Sequence, residues 1–334
     1  MATDLITRHL TARDEEILLA LDRCPLTVQQ ILKLSQTFPG HAFTSPRSVQ
    51  DRLQKLREAG WVCRWTYATI GRTGAPDYYK LTLLGYRLLY GRDAAPPTKR
   101  AFSEVSIGYH HHTLCLADFI VHTLVAAHRA RIHMVNFSRE HTVQFSLGHD
   151  SLFPDCAFEL HTPTRCRFNY LVELDNATER VRSDKDVDSW QRKIRLYEQL
   201  QDQRHPHRFR VLIVATRSAD RLRHILSLAA GHARNPSRSL FYGTLLHDFL
   251  AHPAPIHSPC FLDHRLSPTP LIPSPDSAVP ARHLSPLEAL RRTCYTLALA
   301  LCLSSDPLLK PSIAWLSSAR IAASREYHLL NRMP

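Results

Sequence analysis

The sequence predicts an α/β chain of the α+β kind: a small helical domain closed by a hairpin, then a mixed sheet flanked by helices, then a C-terminal helical extension. Three observations predict it. Three helix starts, each opened by a hydroxyl residue, follow one another at Thr11, Thr27 and Ser45. Two aromatic-rich runs then straddle a turn containing glycine and proline between Gly71 and Pro76. Beyond residue 105, runs of period 3.6 and runs of period 2 alternate, which is the pattern of a sheet covered by helices.

Thr11, with Asp14 three residues on, makes a capping box ahead of Ile17, Leu18 and Leu21, and Thr27 with Gln30 repeats it ahead of Ile31, Leu32 and Leu34. Ser45 opens the third helix with Pro46 at its first position, where a missing N–H costs nothing, and Gly60 ends it. Val49, Leu53 and Leu56 form its inward stripe, leaving Arg47, Gln50, Gln54 and Arg57 to face outward or flank that stripe. Trp61 to Ile70 and Asp77 to Thr82 read as strands. Three helices followed by a basic hairpin give the order of a winged helix-turn-helix, in which the third helix enters the major groove and the hairpin touches phosphate. On that reading Arg47, Lys55, Arg57 and the hairpin's Arg72 meet phosphates, and Arg47 and Gln50, with Gln54 one turn on, face the base edges. The same fold also serves protein contacts. Leu83 to Tyr90 is a short closing helix.

Adjacent prolines and the lack of an apolar period make residues 93–104 a linker between a first domain, 1–92, and a sheet domain, 105–250. Residues 109–131 are helical by period, with Leu116, Phe119, Ile120, Leu124 and Ala127 along one side. The triplet His110-His111-His112 is not taken as a metal site, because adjacent residues on a helix point in different directions. Strands are expected near 134–137, 142–145, 155–161, 168–175 and 208–216, with helices over 184–200 and 218–230. Closely spaced prolines mark 251–285 as a connector without regular structure, and two helices are expected within 286–334. Such an apolar helix pair calls for a partner surface, either the main body or the second copy of a homodimer.

Across its 334 residues the chain carries 42 Lys+Arg against 30 Asp+Glu, a formal charge of +12, which favours a polyanionic partner. In residues 1–100 the balance is 15 against 9. Eight cysteines include no CxxC pair and sit mostly in apolar runs, as reduced core thiols of an intracellular protein do. No run is long enough for a signal peptide or a membrane span, so the expectation is a cytoplasmic protein without membrane contact.

The chemistry concentrates between Leu152 and Leu200. Alternation over Phe168 to Asp175 puts Glu173 and Asp175 on one face, and a hairpin with 155–161 lets Asp155 lie beside Glu173, since antiparallel neighbours are ~5 Å apart. Clustered carboxylates repel, so a divalent cation, a basic partner or protonation must offset the cost. Mg2+ or Mn2+, held by Asp155, Glu173 and Asp175, suits metal-assisted phosphodiester hydrolysis. The plainer alternative is that these acids end a strand and cap the next helix. Lys193, at the border of the stripe formed by Val187, Trp190, Ile194 and Tyr197, can snorkel toward the sheet edge as easily as into water. Glu140, upstream, is a candidate additional ligand, although a single acid before a strand is usually solvated surface.

Several short words in this order resemble the replication-relaxation family of bacterial mobile elements: Thr11-Ala-Arg-Asp14, Arg52-Leu53 to Leu56 with Gly60, Tyr79 to Thr82 with Gly85, Pro154-Asp155, Glu173-Leu-Asp175 with Thr178, and Lys193 to Tyr197. They span roughly residues 11–230. The resemblance implies a winged helix-turn-helix joined to a domain similar to the PD-(D/E)xK nucleases, in proteins linked to plasmid replication and DNA relaxation. It implies Asp155 and Glu173 as the acids that hold Mg2+. The position two beyond Glu173 is Asp175 rather than lysine, so Lys193, on the neighbouring helix, is the candidate for the catalytic lysine. Three functions follow as expectations. The first is a double-stranded-DNA-binding protein of a plasmid or other mobile element whose nuclease-like domain binds, dimerises or cuts. The second is an active Mg2+-dependent endonuclease using Asp155, Glu173 and Lys193. The third is a transcriptional regulator whose second domain dimerises.

Overall fold

The computed structural model describes residues 10–40, 42–68, 74–140, 142–183, 189–204, 207–235 and 238–273. Arg72, residues 184–188 at the expected start of a helix, Cys294, Cys302 and the expected C-terminal helices lie outside the described residues.

Helix α1 (Ala12–Arg23), strand β1 (Leu26–Thr27), helix α2 (Val28–Leu34) and helix α3 (Pro46–Glu58) come first. They begin where the sequence places their caps. Thr11 and Thr27 close reciprocal capping boxes with Asp14 and Gln30, and Ser45 Oγ accepts from the Ser48 N–H. Strands β2 (Val62–Thr66) and β3 (Asp77–Leu81) pair antiparallel, and β1 joins the far side of β3, giving the order β1-β3-β2. Helix α4 (Leu83–Tyr90) follows, with Thr82 as its N-cap.

The short sequence words have structural reasons here. Asp14, only 1% exposed, receives the guanidinium of Arg52, which also donates to Thr11 Oγ1 at 3.1 Å, so the start of α1 is pinned to the middle of α3. Gly85 lies so close to the chain leaving α3 that an added Cβ would meet Trp61 O at 2.1 Å, and only glycine lets α4 approach. Lys80 is buried, and its Nζ donates to the carbonyls of Arg100 (2.9 Å) and Ser103 (2.6 Å), fastening the segment after α4 to β3.

Helix α5 (His110–Arg129) sits between this region and the sheet. Gln30 Nε2 on α2 donates to Asp118 Oδ1 at 2.8 Å, and Lys33 Nζ lies 2.8 Å from His122 Nδ1. A single hydrophobic core runs from Ile17, Leu53 and Leu81 through Leu116 and Phe119 to Val172. The described elements all belong to one compact unit, Met1–Ile272.

Strand β4 (His133–Ser138) is followed by β5 (Phe145–Leu147) and β6 (Asp150–Leu152), then β7 (Cys156–His161), β8 (Arg167–Asp175), α6 (Trp190–Gln203), β9 (Arg210–Ala215), α7 (Ala219–His232), β10 (Phe241–Leu245), α8 (Leu246–Ala251), β11 (Phe261–Asp263) and β12 (Pro268–Thr269). Seven of these strands form one mixed sheet in the order β12-β11-β10-β9-β8-β7-β4. The pairs β8–β9 and β9–β10 are parallel and the others antiparallel. Along β8 the pleat separates two cores: Tyr170, Val172 and Leu174 join the core that holds α5, while Leu171 joins the core of α6 and α7. The fold is thus mixed α/β, with helices on both faces of the large sheet.

Two expectations are corrected. In place of a strand at 142–145, β5 and β6 form a separate two-stranded hairpin, because the turn through Gly148 (φ +67°) brings them together before either reaches the main sheet. The proline-rich stretch from residue 251 is structured as far as it is described. It supplies β11 and β12, and Leu271 and Ile272 are buried. Strands of two or three residues at a sheet edge carry no readable period, and Pro268 is tolerated there because an edge strand leaves one row of donors unused. Six free cysteines are described, of which Cys24, Cys115 and Cys156 are buried and Cys166 is exposed. Among the described residues no helix is long and apolar enough to cross a membrane.

Candidate functional site

The hairpin β7–β8 sets Cys156 opposite Val172, and one further step of the same register sets Asp155 opposite Glu173. Asp155 holds this end of the hairpin with its own backbone and side chain: its N–H donates to Val172 O at 2.9 Å, and its Oδ2 accepts from the Leu174 N–H at 2.7 Å. Glu173 points from β8 toward α6 and is 2% exposed. Tyr197 donates its hydroxyl to Glu173 Oε1 at 2.5 Å, and Lys193 Nζ donates to Oε2 at 2.9 Å. Lys193 and Tyr197 stand one turn apart on α6, so a single helix face delivers both donors to one carboxylate. Lys193 Nζ also donates to Glu179 Oε1 at 2.8 Å and lies 5.3 Å from the centre of the Trp190 ring.

Asp175 lies on the same face of β8 and is differently engaged. Arg221 on α7 grips both its oxygens, Nε to Oδ2 at 2.7 Å and Nη2 to Oδ1 at 2.8 Å, and Trp190 Nε1 donates to Oδ1 at 3.0 Å. That is a bidentate structural ion pair joining the sheet to both helices of its layer.

On the other side of Asp155 stands α5. His112 Nε2 is 3.3 Å from Asp155 Oδ1 and 3.7 Å from Glu140 Oε1, electrostatic contacts rather than aligned hydrogen bonds, since this buried nitrogen has no hydrogen-bond partner. His112 Nδ1 lies 3.2 Å from the Asn176 side-chain amide. Among the described residues, His112, Glu140 and Asp155 are the group whose donor atoms all fall within 4.8 Å of one another.

The electrostatics follow from burial and from sharing. Burial pushes Glu173 up to about 7 and Asp155 pushes the same way, while Lys193 and Tyr197 only partly offset them. Lys193 is penalised by burial, yet Glu173, Glu179 and Asp155 together hold its ammonium far above the ordinary lysine range. Burial also opposes ionised Asp155, but His112, Lys193 and the Leu174 N–H outweigh it and keep Asp155 below the usual carboxylate range. For His112, burial disfavours the imidazolium, and Asp155, Glu140 and Glu173 more than reverse that.

The structure therefore brings Asp155, Glu173 and Lys193 together and leaves Asp175 beside them in its pair with Arg221. Sequence reasoning missed Tyr197, Glu179, Arg221 and His112 as members of this centre, and considered Glu140 only as a further acid from upstream. Tyr197 was legible, being one turn from Lys193. Three adjacent histidines on a helix cannot converge on one metal ion, but one member of the triplet can join ligands from elsewhere.

The surface residues of α3 lie elsewhere. Arg47, Gln50, Gln54 and Arg57 border an open cleft of about 460 Å3 that continues to Arg64 and Tyr79 on β2 and β3. Arg47 pairs with Asp51 at 3.0 Å, Arg57 donates to Gln54 Oε1 at 3.0 Å, and Lys55 is exposed.

The model of the replication-relaxation family matches residues 20–212, from within α1 into β9. The chain belongs to the replication-relaxation family. The match includes the cleft on α3 and the centre around Asp155 apart from Arg221, and membership suggests a role in the replication or relaxation of mobile elements. No curated protein and no solved structure matches the chain. As metal ligands the expected residues of this replication-relaxation protein fit unevenly. Asp155 keeps Oδ1 turned toward His112 and Glu140, whereas both oxygens of Glu173 accept from Tyr197 and Lys193 and both of Asp175 accept from Arg221.

Proposed function

We propose that this protein is a duplex-DNA-binding component of the replication or relaxation machinery of a plasmid or other mobile element, with α3 as the helix that enters the major groove and the β2–β3 hairpin as its wing. The observation that carries this reading is the cleft beside α3. Its polar residues project from a helix whose opposite face, Val49, Leu53 and Leu56, is fully engaged in the core, so the exposed face is presented on a rigid support. Guanidinium and amide side chains there suit phosphate oxygens and base edges. The chain's charge of +12 favours the same partner.

The test is fluorescence anisotropy of the full chain with duplex DNA over a range of salt. Binding is expected to weaken steeply with salt, and Arg47→Ala/Lys55→Ala/Arg57→Ala together are expected to reduce the slope of log K against log salt by about 0.9 per lost phosphate contact. Absence of duplex binding at low salt, or an unchanged slope in the triple variant, sinks the reading.

A second reading, phosphodiester hydrolysis, is favoured by the convergence of Asp155, Glu173 and Lys193. On this reading Lys193, now paired with Glu173 and Glu179, supplies the positive charge that offsets negative charge building on a transferring phosphate, and Glu173, pushed up to about 7, exchanges a proton near neutrality. A divalent cation beside Asp155 would supply Lewis acidity and a bound water of lowered pKa. Supercoiled plasmid incubated with the protein and Mn2+ or Mg2+ is expected to be nicked or linearised, and not by Asp155→Asn. Plasmid left intact with both metals removes hydrolysis and leaves DNA binding standing.

A further inference from the structure

We infer that a divalent cation of the kind that accepts imidazole, Mn2+, Co2+ or Zn2+ in preference to Mg2+, is held by His112, Glu140 and Asp155. This deepens the hydrolysis reading, since it concerns the same centre, but binding at these residues stands whether or not the protein cuts DNA.

Four observations converge. The donor atoms of the three side chains already lie within 4.8 Å of one another, so inward shifts of about 1 Å bring them to the ~2.0–2.2 Å bonds such ions make. His112 Nε2 is buried, makes no aligned hydrogen bond and faces two carboxylates, Asp155 Oδ1 at 3.3 Å and Glu140 Oε1 at 3.7 Å, so it stands as a third donor beside two acids. Asp155 is fixed by the Leu174 N–H through Oδ2, which leaves Oδ1 toward the cluster. Finally, the other acids of the neighbourhood are engaged: Glu173 by Lys193 and Tyr197, and Asp175 by Arg221 and Trp190.

The ligand types set the ion. Imidazole suits the first-row transition metals and zinc, whereas Mg2+ takes oxygen donors and keeps much of its water. Three protein ligands from α5, the segment after β4 and the start of β7 leave coordination positions for water or a phosphate oxygen. The imidazole can be held in the metal-binding tautomer as well. With the Asn176 amide turned to present Oδ1, it accepts from Nδ1–H, while its NH2 group faces Thr216 Oγ1, now 3.0 Å from the other end of that amide.

The experiment uses the full chain stripped with chelator and titrated with Co2+, followed by visible absorption, and with Mn2+ and Mg2+, followed by calorimetry and melting temperature. One Co2+ per chain with nitrogen-containing coordination is expected, with Mn2+ bound at least about tenfold more tightly than Mg2+. His112→Gln and Glu140→Gln are each expected to weaken Co2+ and Mn2+ at least about tenfold and to abolish the metal-dependent rise in melting temperature. Glu173→Gln and Asp175→Asn are expected to change affinity less than about threefold. Should His112→Gln fail to fold, Glu140→Gln, whose side chain is 30% exposed, carries the same test. Absence of stoichiometric binding overturns the inference. So does binding that survives His112→Gln and Glu140→Gln but is lost in Glu173→Gln. Bound metal without plasmid cleavage overturns the hydrolysis reading alone.

Discussion

Asp14 and Glu173 are both buried carboxylates with one cationic partner, and they are held in opposite electrostatic states. Around Asp14 every contact is a donor: the Thr11 N–H, the Thr11 hydroxyl and the Arg52 guanidinium. Burial works against its charge, yet those donors hold it below the ordinary aspartate range. Glu173 has Tyr197 and Lys193, but Lys193 is divided between Glu173 and Glu179, and Asp155 adds a like charge beside them. Burial then wins, and Glu173 rises to about 7. A carboxylate saturated with donors anchors structure, whereas one that shares its cation among competing acids keeps a titration within reach of neutral pH. The contrast separates the cap of α1 from the centre at the end of β8 on physical grounds.

Removing each cation tests this most severely. Lys193→Met leaves Glu173 and Glu179 without their ammonium in a buried site and is expected to destabilise the fold by about 3–5 kcal/mol. Arg52→Met leaves Asp14 its Thr11 donors and is expected to cost about 2 kcal/mol. Adding Glu173→Gln to Lys193→Met should recover at least about half the loss, because it removes the orphaned charge. Denaturant unfolding of the three variants checks the order. Equal losses for Lys193→Met and Arg52→Met would erase the distinction.

The pH dependences of the two acids should also run in opposite directions. Asp14, with its folded pKa depressed, contributes stability that is present above its unfolded value near 4 and lost as pH falls through the folded one. Glu173, with its folded pKa raised, contributes stability that is present below its unfolded value and lost as pH rises toward and through about 7. With chelator present, Glu173→Gln should therefore gain on wild type between pH 5 and 8 by an amount of order 3 kcal/mol, at 1.36 kcal/mol per unit. Asp14→Asn should lose its disadvantage below about pH 4. A Glu173→Gln stability profile parallel to wild type across that range breaks the comparison.

Much of this was legible in the sequence where the signal is local. Caps at Thr11, Thr27 and Ser45, the 3.6 period of α5 and the alternation of β8 each depend on neighbours within a few residues, and each appears in the structure. The facing of Glu173 and Asp175 followed from period 2, and the register opposite Asp155 from pairing 155–161 with 168–175 as a hairpin. The partners did not. That Arg221 takes Asp175, and that His112 and Glu140 approach Asp155, depends on α7, α5 and the segment after β4 meeting at one end of the sheet. No spacing rule encodes a meeting between elements that pack together only in the folded chain, whether 15 residues apart, as Glu140 and Asp155 are, or 43 and 46, as His112 and Asp155 and Asp175 and Arg221 are. The edge strands β11 and β12 escaped for another reason: two or three paired residues among prolines have no period to detect.

The smallest expected effect sharpens the comparison from the exposed side. Arg47 and Asp51 form an ion pair at 3.0 Å on α3, as short as many buried ones, yet their side chains are 81% and 56% exposed. Water already solvates both charges, and holding two long side chains in one geometry costs entropy, so such an i,i+4 pair is worth only about 0.3–0.5 kcal/mol. Arg47→Ala should therefore shift the urea midpoint barely beyond error, while Asp51→Ala should leave stability equally unmoved and free Arg47 for another partner. In duplex-DNA binding the two should diverge, Arg47→Ala weakening the complex and Asp51→Ala strengthening it at low salt, because Asp51 then ceases to compete with phosphate. If both variants weaken DNA binding alike, or neither changes it, Arg47 is a solvated surface charge and α3 meets DNA through other residues or not at all.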